Sequence, residues 1–130
     1  MTIALAIILH HTKVMVLIAR RRSDAHLPDL WEFPGGKCGE DEKPAACAVR
    51  EAYEETGLTV TVLEAWPIVS HNYPERTVQL HPFLCLAESG DPQPLGSCEI
   101  QWVRPEELSQ YTFPKANQPL LERLRMGFIH

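Results

Sequence analysis

Residues 36–58 read GKCGEDEKPAACAVREAYEETGL, and the second half of that stretch fixes the character of the domain around it. From Pro44 to Thr56 small and apolar residues recur at three- and four-residue spacing (Ala45, Ala46, Val49, Ala52, Tyr53, Thr56), the stripe of an amphipathic helix. Pro44 stands where a first helical residue loses nothing by lacking an N–H, and Gly57 stands just past the end. Lys43, at the N-cap position, is a poor capping residue. On this helix Glu51 lies three residues from Glu54 and four from Glu55, so all three carboxylates share one face. Like charges at that spacing cost a helix roughly 0.2–0.5 kcal/mol per pair, and no lysine is interspersed to relieve them.

Upstream, the apolar runs 3–9 and 14–19 flank His10-His11-Thr12-Lys13, a pattern that predicts two strands and a hairpin turn. A polar loop covers 20–33, and Pro34-Gly35-Gly36 predicts a tight turn where the backbone comes close to a neighbour. Downstream, residues 58–69, 77–87 and 99–103 have strand composition, with Asp91-Pro92-Gln93-Pro94 as a connection. Residues 104–108 read as a short helical turn, and 119–126 as a closing helix with Leu120, Leu121 and Leu124 inward. Strands mixed with two helices imply an α/β sandwich around a mixed β-sheet, one domain spanning residues 1–130.

Composition narrows the function classes. The 130 residues are 45% hydrophobic and 22% charged, with a formal net charge of -5. That sign disfavours direct nucleic-acid binding, and Arg20-Arg21-Arg22 is too short for a polyanion track. No apolar run nears the roughly 20 residues that span a bilayer, so no membrane association is expected. The opening run is short, lacks a preceding basic segment, and fits a buried strand better than a signal peptide. Cys38, Cys47, Cys85 and Cys98 show no C-x-x-C spacing and read as reduced thiols of a cytoplasmic protein. Trp31, Trp66 and Trp102 read as packing residues.

An acidic protein repels an anionic substrate unless a bound cation reverses the local charge. Hard divalent ions take oxygen ligands and leave positions for water and phosphate, which suits a row of carboxylates on a rigid helix. Such an ion polarises a phosphoryl oxygen, activates water and orients the leaving group. Gly35 and Gly36 would let a backbone carbonyl join the ligands, and Arg50 would orient one carboxylate through paired hydrogen bonds. A glutamate-rich face is more often simply solvated. The longer pattern of Gly36, Glu42, Arg50, Glu51, Glu54, Glu55 and Gly57 would arise by chance on the order of once in a million chains this short.

These residues resemble the Nudix box, G-x5-E-x7-R-E-U-x-E-E-x-G-U with U a bulky aliphatic residue, from Gly36 through Leu58. Ala52 at the first U position is the one departure, and it bears on packing. The resemblance implies a Nudix-type α/β/α sandwich and hydrolysis of a nucleoside diphosphate linked to another group. It implies Mg2+ as cofactor, with Mn2+ able to substitute, held by Glu51, Glu54, Glu55 and the backbone of Gly35. Glu51, Glu54 and Arg50 would serve the chemistry, and Glu42, Gly36 and Gly57 would hold the box together, Glu42 through Arg50.

Within the family the chain is most similar to the MutT-type 8-oxo-dGTP diphosphatases, over nearly its whole length. Arg20-Arg21, Asp24-Ala25-His26, the run from Glu32 to Lys37 and the run from Phe113 to Pro119 follow that group's pattern. The likeness implies a nucleotide pocket drawing on Arg21, His26, Glu32, Phe33, Pro34, Gly35 and Asn117, with Asn117 on the purine edge. Tyr73-Pro74-Glu75-Arg76 would form a loop over the base, with Arg76 reaching it. Asparagine also caps helices well, so a cap is the competing role for Asn117. The stretch before Trp102 departs from the group, leaving Glu99 as a candidate for an extra glutamate. The implied reaction releases a monophosphate and pyrophosphate from a nucleoside triphosphate, in a monomer or small homo-oligomer. Two rivals stand beside it: a CTP or modified-pyrimidine hydrolase, whose terminal segment lacks the asparagine, and a nucleotide-sensing module without turnover, which usually lacks box carboxylates.

Overall fold

The computed structural model describes residues 1–24, 29–88 and 90–127. Strand β1 (Thr2–Leu9) lies at the centre and pairs in parallel with β7 (Arg76–Ala87), in register from Thr2↔Gln79 to Leu9↔Leu86. Its other side pairs antiparallel with β2 (Val16–Arg20) and with the short β4 (Gly35–Lys37). Strand β2 carries β3 (Trp31–Glu32) and β8 (Glu99–Val103). Beyond β7 lie β5 (Val60–Ala65) and β6 (Val69–Tyr73). The sheet is mixed, and helices cover both faces, as the α/β/α reading requires.

The alternation of β1 explains the layering. Ala4, Ala6 and Ile8 join one buried cluster with Cys47, Ala48 and Ala52 of helix α1 (Pro44–Thr56), whereas Leu5, Ile7 and Leu9 join the opposite cluster with Leu120, Leu121 and Leu124 of helix α2 (Gln118–Arg125). On the α1 side Cys47, Ala48 and Ala52 share their cluster with Ala4 and Ala6 of β1 and with the larger Ile8, Leu17 and Phe83, and Ala52 has no exposed surface. Ala52 at the aliphatic box position fits that interface, where a longer side chain would overpack. Helix α1 has the predicted ends, but its buried side is Cys47, Ala48, Ala52 and Thr56. Tyr53 and Ala46, read as part of the stripe, are exposed. Lys43 makes no capping hydrogen bond from its side chain, and Gly57 closes the helix at φ 76° with its N–H on the Tyr53 carbonyl.

Two segments differ from the sequence reading. Residues 58–69 form no single strand: Pro67 interrupts them between β5 and β6. On the facing side Pro82 sits where β7 changes partners, between its last pairing with β6 at Leu80 and its first with β5 at Phe83. A missing N–H is tolerated there. Pro34-Gly35-Gly36 is no turn, since Gly35 and Gly36 form β4 opposite Leu5 and Ala4. The expected close approach is real, because a Cβ on Gly35 would overlap the Ala4 carbonyl oxygen. No helix among the described residues is long and apolar enough to cross a membrane.

Candidate active site

Strand β4 delivers Gly35 and Gly36 against the glutamate face of α1. A Cβ on Gly36 would collide with the carboxylate of Glu51, and the Gly35 backbone favours the charged form of Glu55. Arg50 is the hub of the remaining polar contacts. Its Nε and Nη2 donate to Glu42 at 2.7 and 2.9 Å, its Nη1 donates to Glu54 and lies 3.6 Å from Glu51, and Nη2 also faces the Lys37 carbonyl at 3.4 Å. Glu42 accepts the Gly39 N–H at 3.0 Å as well, so one carboxylate ties the loop to the helix.

The electrostatics divide the glutamates. Hydrogen bonds from Arg50, then from the Gly39 N–H, hold Glu42 down to about 2. Burial pushes Glu55 up to about 8, with Glu32 and Glu51 adding repulsion and the Gly35 backbone opposing. Burial also raises Glu51, against the pull of Arg50. Glu54 is about half exposed and leans toward Arg50. The three carboxylates offer the oxygen donors that a hard divalent cation takes, with Arg50 against Glu51 and Glu54, and Glu55 set among burial and like charges. Loop residues close the far end: the Leu95 N–H donates to the Glu55 carbonyl, and Gly96 packs against the Glu55 side chain.

A cavity of about 640 Å³ opens beside this face, and Gly35 and Gly36 belong to its wall. Ile3, Leu5, Val78 and Leu80 give it an apolar floor. Arg21, Glu32, Phe33, Arg76 and Asn117 all line it, so the cavity gathers most of the residues assigned to a nucleotide pocket. Arg21 donates to Glu32 at 2.7 Å, and burial raises Glu32 against that contact. Phe33 is almost wholly buried, stacked at 5.3 Å on Phe113. The β6–β7 hairpin brings Tyr73 and Glu75 to the rim beside Arg76. Asn117 is 8% exposed at the start of α2, and its side chain makes no capping hydrogen bond.

Not every candidate is brought to the cavity. Pro34 is fully buried, hands its carbonyl to the Ala6 N–H at 2.7 Å, and is not among the lining residues. Glu99 is engaged on β8, 3.5 Å from Arg20 and accepting from Gln101 at 2.8 Å. His26 falls outside the described residues. The reading of four reduced thiols is corrected: Cys38 and Cys47 form a disulfide, their Cα atoms 5.4 Å apart. The pairing arises because Cys38, at the end of β4, is hydrogen-bonded to Thr2 while Cys47 turns inward from α1. With Glu42 these two sulfurs form a compact group of potential metal ligands, but the sulfurs are bonded to each other and Glu42 to Arg50. Nothing in the cysteine spacing signals the pair, since it depends on where β4 meets the helix.

The similarity to known proteins is extensive. The NUDIX domain profile matches residues 4–123. The 8-oxo-dGTP diphosphatase of Escherichia coli K12 is 32% identical over 110 residues, covering 85% of each chain. The CTP pyrophosphohydrolase of the same organism is 35% identical over 107 residues, covering 82% of this chain and 79% of that one. A solved structure from work on MutT of Aliivibrio salmonicida and Vibrio cholerae superposes with a TM-score of 0.82 at 29% identity, covering 98% of this chain and 97% of that one. Box, sheet and relatives agree, and the chain belongs to the Nudix hydrolase family.

Proposed function

We propose that this hydrolase cleaves a purine nucleoside triphosphate, 8-oxo-dGTP foremost, to the monophosphate and pyrophosphate, with Mg2+ as cofactor and Mn2+ able to substitute. One observation carries the purine reading: Asn117 lines a cavity that ends at Gly35 and Gly36, and its nearly buried amide is not spent on capping α2. An amide in such a wall offers both a donor and an acceptor to a base edge. Arg21, paired with Glu32, and Arg76, beside Glu75, bring two guanidinium groups to the same cavity, and Ile3, Leu5 and Leu80 supply an apolar bed for a ring.

Glu51, Glu54, Glu55 and the backbone of Gly35 would hold the cation. When bound, it neutralises charge on the phosphoryl oxygens and makes water a stronger nucleophile. Arg50 holds Glu54, and Glu42 holds Arg50, so Arg50 would act as the positioning residue for one of these ligands. Glu54 or Glu51 takes the proton of the attacking water. The complete set of box carboxylates argues against a sensing module without turnover. The CTP reading keeps the same chemistry, and the 35% identity to a CTP pyrophosphohydrolase favours it as second choice.

The test is the initial rate on a panel of nucleoside triphosphates with Mg2+, detecting pyrophosphate. A rate for 8-oxo-dGTP about tenfold or more above dGTP and CTP supports the nucleotide-pool sanitising role. Preference for CTP or its modified forms overturns the pocket assignment, beginning with Asn117. Glu54→Gln and Glu55→Gln should each lose most turnover while the fold survives.

A further inference from the structure

The Cys38–Cys47 disulfide has no part in the chemistry above, yet it touches the residue that organises it. Cys38 is half-buried, and Cys47 has no exposed surface. The segment they enclose carries Gly39 and Glu42, the two residues that clamp the loop. Nη2 of Arg50 lies 3.9 Å from the Cys47 sulfur, which also faces the Gly36 carbonyl at 3.7 Å. The same guanidinium holds Glu42 and Glu54. One cation is therefore in contact with the disulfide, with the carboxylate that ties the loop, and with a carboxylate of the glutamate face.

We propose that the Cys38–Cys47 disulfide is a reversible redox link that sets the cation affinity of the glutamate face through Arg50. The proposal rests on the cation-binding reading of that face. A dithiol reductant reaches Cys38, the more accessible sulfur, and its thiolate attacks there. The bond between the cysteines breaks and its electron pair leaves on the Cys47 sulfur, beside the Arg50 guanidinium that stabilises negative charge. The second thiol of the reductant then displaces Cys38 from the mixed disulfide. The reductant ends as a cyclic disulfide, oxidised by two electrons, and the protein gains those electrons and two protons as two thiols. The reverse step uses the cyclic disulfide as oxidant.

Opening the link has two effects on Arg50. The loop bearing Glu42 loses its covalent tie to the helix, and the freed Cys47 sulfur competes for Nη2. Both loosen the orientation of Glu54. The remaining cysteines stand apart from this exchange: Cys85 is buried with its thiol pushed up to about 12, and Cys98, just before β8, lies against Arg20 of β2.

The experiment poises the whole protein in mixtures of reduced and oxidised dithiothreitol, alkylates free thiols for mass analysis, and measures Mg2+ affinity by calorimetry in parallel. Mg2+ is used because it avoids sulfur ligands. The expected result is that Cys38 and Cys47 gain label together, and that Mg2+ binding weakens by roughly three- to tenfold on reduction, at or below the low end for outer-shell changes. Cys38→Ser should bind Mg2+ like the reduced protein at every poise, and Cys47→Ala, which lacks the competing sulfur, should fall between the two states and ignore the poise. Equal affinity in both states would overturn the proposal, as would a link that dithiothreitol opens only with unfolding. Absence of Mg2+ binding in both states, with thiol exchange intact, would instead sink the reading of the glutamate face and the coupling with it.

Discussion

Arg50 grips Glu42 with two nitrogens, at 2.7 and 2.9 Å, and leaves its third for Glu54. The planar fork of a guanidinium permits this division, and an ammonium cannot reproduce it. Arg50→Lys should therefore lower kcat by about 10–100-fold with a smaller change in KM. The pair is partly exposed, so the stability cost should be small. Steady-state kinetics beside a denaturation curve checks both; a large stability loss with unchanged kcat would contradict the positioning role.

Glu55 gives the metal-free protein a pH signature. Its carboxyl is pushed up to about 8 by burial and by Glu32 and Glu51, above its unfolded value of 4.5. The folded state then binds the extra proton between those two values, so stability is full below pH 4.5 and is lost as pH rises through about 8. Melting temperatures without metal should fall across that window, and Mg2+ should flatten the profile. Calorimetry in buffers of different ionisation enthalpy should also show proton release on Mg2+ binding at pH 7 and little at pH 9. A flat metal-free profile would refute the burial argument.

Gly35 and Gly36 should fail differently when given a methyl group. Gly36→Ala meets a side chain, the Glu51 carboxylate, and should reduce activity about tenfold or more with modest destabilisation. Gly35→Ala meets the backbone of β1 and should cost about 1–3 kcal/mol in stability. Urea unfolding and kinetics on both variants separate the two effects.

Asn117→Ala distinguishes recognition from capping. Loss of a cap would cost about 1 kcal/mol of stability. Loss of a base contact should leave stability nearly unchanged and raise KM for purine triphosphates by about tenfold or more. The absence of a capping hydrogen bond predicts the second outcome.

The disulfide should be visible in the stability of the oxidised protein. By loop-closure entropy a link across nine residues contributes about 2–3 kcal/mol, so Cys38→Ser should lose about that much under non-reducing conditions. Denaturant midpoints with and without reductant test it: wild type should shift and the variant should not.

Much of this was legible from the chain because it is local. The three-residue spacing that places Glu51 and Glu54 together is a property of one helix, and Pro44 and Gly57 mark its ends. The α1 stripe was blurred because Ala46 and Tyr53 match the period almost as well as the residues that are buried, and only the sheet decides which side turns inward. The strand break at Pro67 escaped notice because the composition around it stays β-like. The Cys38–Cys47 pair and the burial of Glu55 depend on where β4 and residues 95–96 pack, and contacts between distant segments leave no periodic trace.

The pairing of β1 with β7 joins residues 2–9 to residues 79–86, with the box helix between them in the chain. The cavity floor of Ile3, Leu5, Val78 and Leu80 comes from those two strands alone. During synthesis the first strand must wait, unpaired along that edge, until more than half the chain has followed it. Such distant pairing slows folding, because loop closure precedes any reward in contacts. Nucleotide binding should thus emerge late in refolding, after the helix carrying the glutamates has already formed.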